Sequence, residues 1–304
     1  MTVPVGPGAG DASSTAWIDE IAFLPDGPPW LSMGLGRVDE DRWLLVDQDR
    51  PAQVALRRQL LAERHDEVFA ALDGTEAAGA EVLGLVRGWL ERRGVVDEAA
   101  SPAADGTHPL EVAGMLVQED LALMVPRDGR HHLDAAVLCF PSHWRLRDKL
   151  GGSALAIHGP VPRYEDELAA RVDRFLERLA PDVVVARRNW TVHPDDALFS
   201  PDPPVAPAPV APDRVASSLV LRSERQTLRR LPETGVVLFT IRVQQAPFGA
   251  LAAHPSSARD LAARLRGQPA ALTAMNGLAP HLDAVLPWLD GVAKGTVGER
   301  PGPP

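Results

Sequence analysis

The sequence holds one cysteine, Cys139, and one tyrosine, and aromatic residues make up only 5% of its 304 positions. A lone cysteine excludes an internal disulfide framework, and it excludes a zinc or iron–sulfur site built only from cysteines of one chain. A reducing cytoplasm is the expected location. Scarce aromatics remove the stacking platforms of single-strand binders, and a net charge of -10 removes the cationic footprint that a phosphate backbone requires. No nucleic-acid partner is expected. No apolar run reaches the length of about 20 residues that spans a bilayer. The first residues, MTVPVGPGAGDASS, carry neither the basic n-region nor the apolar h-region of a secretory signal. No membrane association is expected, and no internal repeat is evident.

Apolar residues at 45% are ample for a core. Residues 1–16 and 295–304 are rich in Gly, Pro, Ser and Ala and read as disordered tails around a single domain, 17–294. Between Pro51 and Gly94, residues such as Val54, Leu60, Leu61, Val82, Val86 and Trp89 recur at helical spacing, which predicts two amphipathic helices. The period then changes. Two apolar runs, Met115–Val125 and Leu133–Phe140, flank Asp128-Gly129 and predict a hairpin. A helix follows over Tyr164–Leu179, then a strand over Val183–Val192 and a Pro/Ala linker, SPDPPVAPAPVAP. A second hairpin joins Ser218–Leu228 to Val236–Gln244 through Pro232 and Gly235. Ser256–Gly267 and Leu278–Lys294 read as helices that pack with the N-terminal ones.

The densest chemistry lies in the stretch Leu221 to Pro232, where Arg222, Glu224, Arg225, Gln226, Arg229 and Arg230 interrupt a strand pattern. On a strand, Arg222, Glu224 and Gln226 share one face, while Leu221, Ser223, Arg225 and Thr227 share the other. The first set reads as a wall of a polar pocket; a charged edge strand is the competing reading.

The chain order, two strands, a helical connection, then three strands, is that of a PAS-like domain, with the core at about 110–246. The expected class is α+β: a five-stranded antiparallel sheet cupping a ligand against helices, flanked by N- and C-terminal helices. Several stretches further resemble the heme-dependent oxidative N-demethylases: Leu116 to Leu121, Cys139-Phe140-Pro141-Ser142 with Trp144, Asp148 to Gly151, Ile157 to Pro162, Asn189-Trp190, and Arg222 to Pro232 with Phe239 to Arg242. The resemblance runs from about Met33 to Gln245. It implies a heme b and molecular oxygen as oxidant. The substrate would be a small, dimethylamine-like secondary amine, with formaldehyde released. Electrons would come from an NAD(P)H-dependent reductase subunit carrying flavin and iron–sulfur centres. No flavin or iron–sulfur pattern of its own is present in this chain. The alternative is a PAS-like heme or small-molecule sensor without turnover.

For the iron, His158 is the expected axial ligand, placed after Leu155-Ala156-Ile157 and before Pro160 and Pro162. His143 is the second candidate. His131 and His132 beside the turn are expected to be exposed, with His193 at the surface or behind the site. Cys139, in an apolar run, reads as core filling, with a thiolate ligand the lesser alternative. Arg222, Arg225, Arg230, Arg145 and Lys149 are candidates to hold the heme carboxylates. Trp144 and Trp190 would pack on the porphyrin or in the core. For a protonated amine, Glu224 is the best-placed carboxylate, with Glu119 and Asp120 competing.

Overall fold

A computed structural model describes residues 12–23, 33–95, 104–158, 170–202 and 208–296. A 3-10 helix, Ala12–Glu20, precedes strand β1 (Gly36–Val38) and a 3-10 turn, Glu40–Arg42. Helices α1 (Arg50–Glu63) and α2 (His65–Val68), strand β2 (Phe69–Ala71), then α3 (Glu76–Arg92) and α4 (Pro109–Gly114) lead to the hairpin β3 (Asp120–Arg127) and β4 (Arg130–Val137). Helices α5 (Ala154–His158) and α6 (Ala170–Arg178) precede β5 (Val184–His193). After α7 (Val215–Ser218), strands β6 (Val220–Arg230) and β7 (Val237–Pro247) pair, and α8 (Pro255–Gly267), α9 (Ala270–Met275) and α10 (Leu282–Ala293) follow.

The class is α+β, as expected. The sheet, however, has seven antiparallel strands in the order β1-β5-β6-β7-β3-β4-β2, where five were expected. The additional two, β1 and β2, are three-residue edges that carry no alternating pattern of their own. They form because β5 and β4 offer unpaired backbone groups at the sheet margins. The first hairpin is also shorter at both ends than its apolar runs. Met115 still donates to Glu111 O at the end of α4, and the amides of Cys139 and Phe140 turn to the Asp120 carboxylate. The tail expected over residues 1–16 is entered by the 3-10 helix from Ala12.

Local chemistry accounts for the turns and helices. Asp128 (φ 51°) and Gly129 (φ 71°) both occupy the left-handed region, as the two central residues of a type I′ hairpin turn must. Helix α8 starts at Pro255 and α1 carries Pro51 as its second residue, positions at which no amide partner is needed. On α8, Ala258, Leu261, Ala262 and Leu265 form the buried stripe.

Two apolar clusters flank the sheet. The larger gathers α1, α3, α4 and the β2–β4 end; the smaller packs the N-terminal 3-10 helix and α8–α10 against Trp190, Val192, Leu221 and Ala246. Gly277 lies against this second cluster with φ 79°, and a Cβ there would stand 2.2 Å from Val192 O. Gly277→Ala is therefore expected to cost at least ~2 kcal/mol in urea unfolding, from backbone strain and the clash together.

Candidate functional site

The sequence candidates divide between two faces of the sheet. Residues directly opposite in an antiparallel ladder share a face. One row across the sheet is Arg188, Arg225 and Arg242; the adjacent row is Asn189, Glu224 and Val243. We call the face of Arg225 the back and that of Glu224 the front.

The back face is closed by the N-terminal chain. Arg225 donates to the carbonyls of Trp43 and Arg42, Arg242 pairs with Asp47 at 2.6 Å, and Arg188 pairs with Glu20 at 2.8 Å. Three like charges in one row would repel, and each is instead turned to a different acceptor in residues 20–47. Glu119 is here too: its Oε1 accepts from Leu45 N at 2.8 Å, Oε2 is buried without a partner among the described residues, and burial pushes its carboxyl above the usual range. Trp190 packs on Phe23, ring centroids 5.4 Å apart. Glu119, Arg225 and Trp190 thus serve the packing of the N-terminal chain and lie across the sheet from Glu224.

Asp120 turns away from Glu119. Its Oδ1 accepts from Arg57 Nη1 at 2.6 Å and Cys139 N at 2.7 Å, and its Oδ2 from Phe140 N at 3.0 Å. The chain so fixed presents its carbonyls to Arg222. That guanidinium, wholly buried, donates to Phe140 O at 2.7 Å and, at 3.3 Å each, to Pro141 O, Ala197 O and Leu198 O. Arg222 therefore staples two loops at one end of the front face. Its Nε and the Nε2 of Gln245, directly opposite in the register, are buried donors without acceptors among the described residues.

At the centre of the front face stands Glu224. Its Oε2 accepts from Gln226 Nε2 at 2.9 Å and from Asn189 Nδ2 at 3.2 Å, while Oε1 accepts nothing among the described residues. Asn189, Glu224, Gln226, Leu228 and Phe239 are all half-buried on this face. A few polar groups set among apolar side chains is the mixture that ligand-binding surfaces present. Toward its other end Arg230 donates to Leu176 O, Leu179 O and Gly235 O, which holds the C-terminal end of α6 over the sheet.

The remaining candidates are dispersed. Arg145 is exposed and paired with Asp202; Lys149 Nζ donates to Ile157 O at 2.8 Å; Trp144 is half-buried against the larger cluster. His158 ends α5, and its side chain lies outside the described residues, as do Pro160 and Pro162. His143 has φ 61° and stacks on His193, centroids 4.5 Å apart. His193 is buried rather than at the surface; burial, with Arg222 and His143 beside it, pushes its pKa down to about 3, and its Nε2 bonds Ser142 Oγ at 3.1 Å. His131, expected to be exposed, is 4% exposed because α6 packs on β4, and neither ring nitrogen has a partner among the described residues.

Sequence reasoning missed Arg57 and Gln245. Arg57 falls on the apolar stripe of α1 between Val54 and Leu61, and a charge on such a stripe is a usable sign of a buried ion pair. Gln245 carried no comparable signal.

A family model described as haem-dependent oxidative N-demethylase, alpha subunit-like, matches residues 95–286, more than half of the chain. The chain belongs to this family. The N-demethylase match contains β3 to β7 and every candidate residue named above between Glu119 and Gln245. Within this N-demethylase-like chain, Cys139 is a poor metal donor: it is fully buried, and burial pushes the thiol up to about 12, which leaves it neutral core filling. No helix among the described residues is long and apolar enough to cross a membrane.

Proposed function

We propose that the front face is the wall of a heme pocket in which Glu224 holds a small protonated amine for oxidative N-demethylation. The observation that carries this reading is the Glu224 carboxylate. It is half-buried, has one oxygen engaged by two amides and the other without a partner among the described residues, and stands beside apolar surface. An ammonium group would be held there by a charge-assisted hydrogen bond. Leu228 and Phe239 on the same face fit the apolar body of a macrocycle. The acceptor-less Arg222 Nε and Gln245 Nε2 fit a carboxylate such as a porphyrin bears. The chain order of the central strands supports the PAS-like reading of the sheet.

His158 is the proposed axial ligand of a heme b, at the end of a helix on the connection between β4 and β5. Bound heme supplies the oxygen chemistry; the chain's residues supply binding and orientation. Demethylation of a dimethylamine-like substrate consumes O2, two electrons and two protons, and yields formaldehyde, water and the demethylated amine. The electrons require a reductase partner carrying flavin and iron–sulfur centres, consistent with a family described by its alpha subunit.

The test is the visible spectrum of the purified protein, as isolated and after dithionite, followed by titration with dimethylamine. A histidine-type Soret band that shifts with the amine is expected, and His158→Ala should abolish or alter it. Absence of a Soret band after hemin reconstitution overturns the reading.

A further inference from the structure

We infer that Asn189 and Gln226 are positioning residues that fix the Glu224 carboxylate and decide which of its oxygens meets the amine. The inference rests on the reading of Glu224 as the partner of the amine. A free glutamate side chain samples many rotamers, and ordering one costs up to about 2 kcal/mol. Here the two carboxamides approach from different directions. Asn189 is directly opposite Glu224 on β5, and Gln226 is the next residue on the same face of β6. Both donate to Oε2, at 3.2 and 2.9 Å, and Oε1 has no partner among the described residues.

The identity of the donors matters as much as their number. On the back face of the same strands, Arg188, Arg242 and Arg229 meet Glu20, Asp47 and Glu40 as ion pairs. An arginine set on Glu224 in the same way would compete with an ammonium for the carboxylate charge. Neutral amides orient the group without adding a charge. In adjacent rows Arg188 meets Glu20 while Asn189 meets Glu224. Arg222, beside Glu224 on its own face, interacts with it through space and gives its hydrogen bonds to loop carbonyls instead.

A double-mutant cycle tests this on the full chain, with dimethylammonium chloride binding measured by calorimetry. Replacing both amides, Asn189→Leu with Gln226→Met, is expected to weaken binding about tenfold, or roughly 1.4 kcal/mol. In the Glu224→Gln background the same pair of changes should add less than about twofold, because the group they position is already gone. Equal losses in the two backgrounds would show that the amides act by general packing and would overturn the inference. A Glu224→Gln variant that binds as well as the parent, or a parent that binds no amine, would instead overturn the underlying reading. Gln226→Met alone changes little volume at a half-buried position. It carries the same cycle, with an expected loss of a few-fold, should the double variant not fold.

Discussion

Replacing Asp120 by alanine is expected to lower the unfolding free energy by about 3–5 kcal/mol. Asp120 and Arg57 are 1% and 0% exposed and form an ion pair at 2.6 Å. The guanidinium is further committed to Gly114 O at 2.9 Å and sits over the Phe140 ring, 5.3 Å from its centroid. Removal of the carboxylate strands a buried cation and leaves the amides of Cys139 and Phe140 without acceptors. Each stranded amide adds its own desolvation cost of about 1–3 kcal/mol unless the loop rearranges. Asp120→Asn keeps an acceptor oxygen and loses the charge, so its cost should be smaller. Urea unfolding measures both. An alanine variant within ~0.5 kcal/mol of the parent would mean that the pair is not structural, and it would return Asp120 to the set of possible amine partners. A second consequence follows from connectivity: the loop that Asp120 fixes supplies the carbonyls that hold Arg222. If Arg222 holds a heme carboxylate as proposed, loss of heme retention in Asp120 variants is expected to accompany loss of stability.

Glu224→Gln should weaken amine binding by about 10- to 150-fold, the effect of losing a charge-assisted hydrogen bond of ~1.5–3 kcal/mol. The fold should be unaffected, because a half-buried glutamine can still accept from Asn189 and Gln226. Glu119→Gln provides the contrast. It removes a buried carboxyl on the opposite face, under Leu45 and beside Arg242, and should leave amine affinity unchanged. Should Glu119→Gln abolish amine binding and Glu224→Gln spare it, the ligand lies under the N-terminal chain and the front face is structural.

These two carboxylates show where sequence reading stops. Both interrupt apolar, strand-like runs, and both are unusual enough to attract a functional interpretation. Strand alternation orders residues only relative to their neighbours, so Glu224 can be set apart from Arg225 but not compared with Glu119, which is on a different strand run. Their relation is decided by the pairing of β3 with β7 and of β7 with β6. Arg222 and Arg225 likewise look equivalent in sequence. One donates to loop carbonyls at the front, while the other donates to Trp43 O, 182 positions away in the chain.

The sequence by itself determined the α+β class, the Asp128-Gly129 reversal, the apolar stripes of α1, α3 and α8, the strong β6–β7 pair and the family. Each of these depends on residues close along the chain, through backbone conformation at the turn, through period 3.6 or period 2, or through a run of motif residues. Tertiary structure alone decided which sheet face is closed, that β1 and β2 complete the sheet, that His131 and His193 are buried, and that Asp120 belongs to Arg57. The physical reason is that a strand's two faces are equivalent until distant segments cover one of them. Residues 12–23 and 36–47, with α8 and α10, cover the back here, and the hydrogen bonds that complete the covering join positions that local pattern cannot relate.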